Sequence, residues 1–247
     1  MAHYQAIVEY DGTDFVGFQR QREGRTVQGE LETALRRLDW PGRAVLGGGR
    51  TDSGVHAAGQ VVAFELEWKH GEAALLRALN AHLPRDVAVK RVAQCDPGFH
   101  PRYAARSRWY RYTIYNAPAR SPLLERYAWH VASPALDVPA MQRAAGQVLG
   151  RHDFAAFGDD PDEGQNTVRT VSRAGWSAEP ASGRLYFDIQ AEAFLHRMVR
   201  SLVGAFKRVG EGELTAEGFD ALLASCDRAQ CPAVAPPQGL CLMEILF

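Results

Sequence analysis

The residues best suited to chemistry lie in one short stretch, Gly47-Gly48-Gly49-Arg50-Thr51-Asp52-Ser53-Gly54-Val55-His56-Ala57-Ala58-Gly59-Gln60. It brings a guanidinium, a carboxylate and an imidazole together between Arg50 and His56. Five glycines in these fourteen residues argue against a helix or a regular strand. The spacing therefore predicts a loop that delivers Arg50, Asp52 and His56 to the start of a strand, Gln60–Trp68. A cation within about 4–6 Å lowers a carboxylate pKa, which would keep Asp52 ionised as a nucleophile or base rather than as a proton donor. On local features a plainer reading stays open, because an Asp before Ser-Gly also closes turns through its own side chain.

Other chemistries fit the same residues less well. Asp52-Ser53-Gly54 matches the D-[ST]-G of aspartic proteases, but that mechanism needs two such aspartates sharing a proton and the chain has no second copy. The glycine run lacks the Lys-Ser/Thr of a phosphate loop, and no G-x-G-x-x-G opens a helix. The eight histidines are scattered, and Cys95, Cys226, Cys231 and Cys241 show no C-x-x-C spacing. Reduced cytosolic thiols are expected, with neither a disulfide framework nor a metal site.

The elements that must position the loop follow from periodicity. Tyr4–Tyr10 is rich in β-forming residues and is closed by Asp11-Gly12, as a strand and turn are. Thr26 can cap a helix whose apolar face is Val27, Leu31, Ala34, Leu35 and Leu38. Arg43–Leu46 is a short candidate strand, Gly71–Leu83 a helix halted by Pro84, and Val87–Val92 a strand. The first half thus reads β-α-β-β-α-β. The order returns in the second half, with a strand Arg108–Tyr115, a helix capped by Asp137 and ended by Gly150, strands Thr167–Ser177 and Arg184–Ala191, a helix Phe194–Val209 and a final strand Leu240–Phe247. Thr215–Ser225 is an added helix. Two such halves predict an α+β protein with mostly antiparallel sheets, divided into lobes 1–104 and 105–247.

Composition agrees with a globular chain. Hydrophobic residues make up 46% and charged residues 23%, and no apolar run reaches the ~18 residues of a membrane span. The N-terminus lacks the charged and apolar regions of a secretory signal, so a cytoplasmic location is expected. Net charge is −1, but it is unevenly spread. No acid occurs from Pro97 to Leu124, where Arg102, Arg106, Arg108, Arg111 and Arg120 stand. Arg20, Arg22 and Arg25 cluster with only Glu23 nearby, and acid gathers at Asp159, Asp160, Asp162 and Glu163. A segregated basic stripe is compatible with a phosphate-binding face, and equally with arginines that simply face water.

From Gly49 to Val61 the sequence resembles the central motif G-R-T-D-x-G-V-H-x-x-G-Q-V of the tRNA pseudouridine synthase A family. The likeness extends over nearly the whole chain, through Tyr10-Asp11-Gly12, Gly17-Phe18-Gln19-Arg20-Gln21, Thr26-Val27-Gln28, Phe99-His100-Pro101-Arg102, Tyr110-Arg111-Tyr112, His152-Asp153-Phe154, Arg169, Phe194-Leu195-His196-Arg197-Met198-Val199-Arg200 and Gly239-Leu240. The family more often has Trp where Phe18 stands, a change that keeps an aromatic ring. The resemblance implies isomerisation of uridine to pseudouridine at positions 38, 39 and 40 of the tRNA anticodon stem-loop. It further implies a two-lobed pseudouridine synthase fold with the cleft between the lobes, a homodimer, and no metal or organic cofactor.

It also implies roles. Asp52 is the carboxylate that acts near sugar and base, Tyr110 lies against the target base, and the basic Arg200 pairs with the aspartate. Arg50 fills the space of a displaced nucleotide or contacts phosphate, and Leu195 either forms an apolar wall to the pocket or packs beneath its helix. Arg20, Arg102, Arg106, Arg108 and Arg111 hold the RNA backbone without reading sequence. Two other functions remain open on the residues alone: a tRNA-binding or folding module, and a pseudouridine synthase acting at another RNA site.

Overall fold

Every second residue from Tyr4 to Tyr10 is buried, and this two-residue period makes the segment a strand with one face turned inward. The computed structural model describes residues 1–159, 166–231 and 233–247. Along the chain run β1 (Ala2–Tyr10), α1 (Val27–Arg36), β2 (Leu46–Gly47), β3 (His56–Leu66), α2 (Gly71–His82), β4 (Val87–Gln94) and α3 (Pro101–Ala104). They are followed by β5 (Ser107–Asn116), β6 (Trp129–Val131), α4 (Val138–Gly146), β7 (Gly150–Asp153), β8 (Val168–Glu179), β9 (Arg184–Ala191), α5 (Met198–Gly210), α6 (Ala216–Ser225) and β10 (Leu240–Leu246). Contacts divide the chain into two compact units, Met1–Arg106 with Cys241–Phe247, and Ser107–Leu240. This is an α+β fold, and within each unit the strand pairings are antiparallel except β10 with β3 and β6 with β5.

In the first unit β1 lies between β3 and β4, and β3 is flanked on its other edge by β10 and β2. With neighbours on both edges, β3 is buried along nearly its whole length, as a central strand should be. Thr26 caps α1 by accepting the Gly29 N–H at 3.2 Å, a bond worth about 1 kcal/mol. The helix turns Val27, Leu31 and Leu35 into the core and buries Glu32 completely beside them. That carboxylate accepts from Arg20 Nη1 at 2.6 Å, Gln28 Nε2 at 2.9 Å, the Val45 amide at 3.3 Å and Arg36 Nη2 at 3.5 Å. The buried charge is tolerated because every lone pair has a donor. Along β4, Asn80 of α2 donates to the Val89 carbonyl and accepts its amide, both at 2.8 Å, which docks helix on strand.

In the second unit the strand order is β6-β5-β9-β8-β7. Asp137 caps α4 through the Ala140 amide at 2.9 Å. An aromatic chain forms the core: ring centroids of Trp176 and Phe187 are 5.1 Å apart, Phe187 and Phe206 5.0 Å, Phe206 and Phe219 4.8 Å. It joins β8 and β9 to α5 and α6, and such pairs add to the burial of the rings themselves.

Four expectations change. β3 begins at His56, so the predicted loop is shorter and its last residues are strand. Position 59, inside this strand, must be glycine because a side chain there would run into the Met243 carbonyl of β10. The final strand, expected in the second lobe, groups from Cys241 onward with the first unit, where Cys241 pairs with His56 and Leu242 with Ala57. Helix α5 starts at Met198 rather than Phe194. His196 exchanges backbone hydrogen bonds with Asp159, and Arg197 takes a left-handed φ of 61°, so the chain turns before the helix begins. Gly150 opens β7 instead of ending α4, which stops at Gly146. The expected acidic cluster falls partly on Asp160, Asp162 and Glu163, which lie outside the described residues.

Within the cluster of Arg20, Arg22 and Arg25, two arginines meet acids on α1 and one of them also an acid far along the chain. Arg20 meets Glu32, and Arg25 bonds Glu30 and grips Asp86 with two nitrogens, one at 2.9 Å. The Arg25 guanidinium holds the Asp86 carboxyl below the usual carboxylate range against the opposing effect of burial. A depressed folded-state pKa contributes stability above the unfolded value and loses it as pH falls through the folded value. Asp86→Asn should therefore cost about 1 kcal/mol at pH 7, a modest figure because the pair is partly exposed. The gap between the urea midpoints of variant and parent should begin to narrow below about pH 4 and close once pH falls through the lowered Asp86 value; a gap that persists at that acid limit would mean the charge is not the source.

Candidate active site

The loop that carries Asp52 is held on both flanks by backbone. On one side the Phe18 amide donates to the Thr51 carbonyl at 3.1 Å and the Gly54 amide to the Phe15 carbonyl at 3.2 Å. The Ser53 hydroxyl reaches the same Phe15 carbonyl at 3.2 Å, and the Tyr10 and Thr51 hydroxyls bond at 2.7 Å. On the other side the Gly48 amide donates to the Val61 carbonyl at 2.8 Å and Gln60 Nε2 to the Gly49 carbonyl at 3.0 Å. A turn bond from the Val55 amide to the Asp52 carbonyl, 3.2 Å, closes the tip. Asp52 is half-buried, Arg50 two residues earlier is exposed, and His56 is buried on the first residues of β3.

The segment that braces the loop, residues 10–18, is itself braced. Gly12 sits so close to Val55 that a Cβ would collide with its carbonyl, and the Gly12 amide donates to His56 Nδ1 at 3.0 Å. The Asp11 amide bonds the Asp86 carbonyl at 3.0 Å and the Val16 amide the Arg25 carbonyl at 2.9 Å. Arg25 also lies 4.2 Å above the Phe15 ring. The turn between β1 and α1 is thus a rigid shelf on which the Asp52 loop rests, and such pre-set geometry favours a group that must meet a reacting atom.

The other expected site residues belong to the second unit. Tyr110 on β5 is 8% exposed, and its ring meets the edge of Phe194 at 5.1 Å. Leu195 is buried against Gly158, where any side chain would strike it. Both Phe194 and Leu195 precede α5 and are not on it. Arg200, in the first turn of α5, is locked to the loop before β10: its Nε donates to the Ala235 carbonyl at 2.8 Å and its own carbonyl accepts the Ala235 amide at 3.1 Å. Tyr112, two residues after Tyr110, donates to the Pro236 carbonyl at 2.8 Å. Burial pushes its hydroxyl far above the ordinary tyrosine range, with the Arg200 charge opposing in part, so it stays a neutral donor that ties β5 to the same loop.

Among the expected RNA contacts, Arg102 and Arg106 are exposed. Arg108 donates to the Glu192 carbonyl at 2.6 Å, and Arg20 is half-exposed on Glu32. Arg111 is more firmly committed. Its Nε and Nη2 both reach the buried Asp188 at 3.0 Å, Trp109 Nε1 donates to the same carboxylate at 2.7 Å, and the guanidinium lies 5.5 and 5.0 Å from the Trp109 and Tyr186 rings. Sequence reasoning gave no role to Tyr10, Asp11, Gly12, Thr51, Tyr112 or Phe194. The first three stand in one quoted motif and Thr51 in another, but nothing in either segment says that the two touch.

A model of the family described as tRNA pseudouridine synthase matches residues 6–104 and 144–247. The chain belongs to this family. Among curated relatives, the tRNA pseudouridine synthase A of Roseiflexus castenholzii is 45% identical over 242 residues, 97% of this chain and 88% of that protein. That of Syntrophotalea carbinolica is 42% identical over 247 residues, 100% of this chain and 97% of its own. That of Pseudothermotoga lettingae is 40% identical over the full length of both. The family match takes in the Asp52 loop, its supporting turn, Leu195 and Arg200, whereas Tyr110 and Arg111 fall in the gap between the two matched spans. Among the described residues no helix is long and apolar enough to cross a membrane, and no group of three or more His, Cys, Asp or Glu is placed to hold a metal ion.

Arg111→Ala would leave Asp188 buried with only the Trp109 N–H. The expected cost is about 3 kcal/mol of folding stability, the penalty for breaking one side of a buried ion pair. Chemical denaturation of the two proteins measures it, and an unchanged midpoint would show that Asp188 rehydrates without its partner.

Proposed function

We propose that this chain isomerises uridine to pseudouridine in tRNA, at positions 38, 39 and 40 of the anticodon stem-loop, with Asp52 as the catalytic nucleophile or base. The observation that carries the reading is the mounting of Asp52: the family's central motif forms a loop braced by backbone hydrogen bonds on both sides of the carboxylate. The reaction breaks the N1–C1′ bond, turns the uracil and joins C5 to C1′. N1 gains a proton, C5 loses one, and no atom or electron enters from outside, so no cofactor is called for. A carboxylate held in place can serve such a step through proximity and charge alone.

In this reading Tyr110 stacks on the target base and its hydroxyl can take part in moving the C5 proton. Arg200 pairs with Asp52, Leu195 walls the pocket, and Arg50 fills the stack left by the displaced nucleotide. Arg102, Arg106, Arg108 and Arg20 hold phosphates, with Arg111 contributing through the outer face of its ion pair. The working enzyme is a homodimer, as the family resemblance implies, and it acts in the cytoplasm.

Tritium release from tRNA carrying 5-tritiated uridine tests the chemistry. The unaltered chain should release it, and Asp52→Ala should slow release by at least about a thousandfold while still binding tRNA. Equal release by both, or none from either, would sink the assignment and favour a tRNA-binding module. Pseudouridine mapped elsewhere than positions 38–40 would favour a synthase for another site. For the basic stripe, Arg102→Ala should lower the slope of log affinity against log salt by about one unit without changing stability. An unchanged slope would mean that this arginine only faces water.

A further inference from the structure

His56 is 5% exposed and stands four residues after Asp52, yet the isomerisation described above gives it no task. Its Nδ1 lies 3.0 Å from the Gly12 amide nitrogen and 3.2 Å from Asp11 Oδ1. A backbone amide can only donate, and its hydrogen direction is set by the chain. At this contact Nδ1 must therefore present its lone pair, which places the ring proton of the neutral imidazole on Nε2. Asp11 Oδ1 does not require the imidazole proton, since it accepts from the Thr13 amide at 3.0 Å and from the Thr13 hydroxyl.

The bond joins the two pieces of backbone on which the site depends. Gly12 already abuts the Val55 carbonyl, and Val55 closes the turn onto Asp52. The Gly12–His56 bond keeps that approach from opening, and Tyr10–Thr51 does the same one step away. We propose that His56 is a positioning residue for Asp52: by accepting the Gly12 N–H at Nδ1, it sets how the 51–55 loop sits on the 10–13 turn, without touching substrate. The proposal rests on Asp52 being the reactive carboxylate.

A histidine that merely fills space is distinguished by separating its acceptor from its volume. In His56→Asn the amide Oδ1 falls near the place of Nδ1 and keeps the acceptor; His56→Leu keeps the bulk and removes it. The leucine variant should lower kcat for tritium release about 10- to 100-fold, with KM for tRNA changed less than about twofold. The asparagine variant should return to within about threefold of the parent. Parental kcat in His56→Leu, or an Asn variant as slow as the Leu variant with both folded, would overturn the proposal.

Two readouts do not depend on turnover, and the first needs no variant at all. Nitrogen NMR of the unaltered chain labelled at histidine, at pH 8, should show His56 protonated at Nε2 and bare at Nδ1; a proton on Nδ1 would overturn the proposal. Amide exchange across residues 51–55 should quicken in His56→Leu and stay slow in His56→Asn. If the unaltered chain released no tritium while these two results held, the isomerase reading would have failed and the positioning contact would stand.

Discussion

Two stretches of main chain, residues 11–18 and 51–56, approach each other more closely than any side chain would permit, and the candidate site is built on that approach. It removes the freedom of choice at Gly12, where only hydrogen fits against the Val55 carbonyl. It also obliges each stretch to satisfy the other's polar groups, since neither can turn to water there. The result is a ladder of bonds, among them Phe18 to Thr51, Gly54 to Phe15 and Gly12 to His56, that resembles a sheet in function without its regular geometry. A loop supported in this way has little conformational entropy left to lose when substrate arrives.

Charge is arranged by a similar economy. Formal counting along the sequence suggests a broad basic surface, but several of those arginines spend their charge inside the molecule. Arg20 neutralises a buried carboxylate of α1, Arg25 ties Asp86 to the turn below the Asp52 loop, and Arg111, its guanidinium near two aromatic rings, holds Asp188. Each of these pairs joins segments distant in sequence, so each acts as a strut. Arg102 and Arg106 differ in placement, since both side chains lie at the exposed surface. A fork of five donors serves both purposes, which is one physical reason for a chain to favour arginine over lysine.

Much of the architecture was legible because it rests on local periodicity. The β-forming run of β1, the apolar stripe of α1 and the Asp137 cap of α4 depend only on neighbouring residues, and the β-α-β-β-α-β order of the first half is the order observed. The Asp52 loop announced itself through glycine content and motif. What escaped reading depends on partners far away. Gly59 looks like a loop residue until Met243 is known to press on it; Phe194–Arg197 continues a helical pattern until Asp159 takes up the backbone of His196. The role of Asp11-Gly12 was invisible for the same reason, because a glycine's neighbour across space leaves no trace in its own segment. Arg20 and Arg25 looked unpaired because their acids lie one element or more downstream.

The placement of β10 bears on how the protein is made. Its residues pair with His56 and Ala57, the two positions immediately after the Asp52 loop, but in the chain they come after the whole of the second unit. During synthesis from the N-terminus the first unit must wait, one edge of β3 uncovered beside the glycine-rich loop, until residues 107–240 have been added. Contacts of such long sequence separation form late, because their loop-closure cost falls due before they return any stabilisation. Maturation of the Asp52 loop is thereby coupled to completion of the other unit, and a chain cut short before Cys241 would leave the start of β3 without this neighbour.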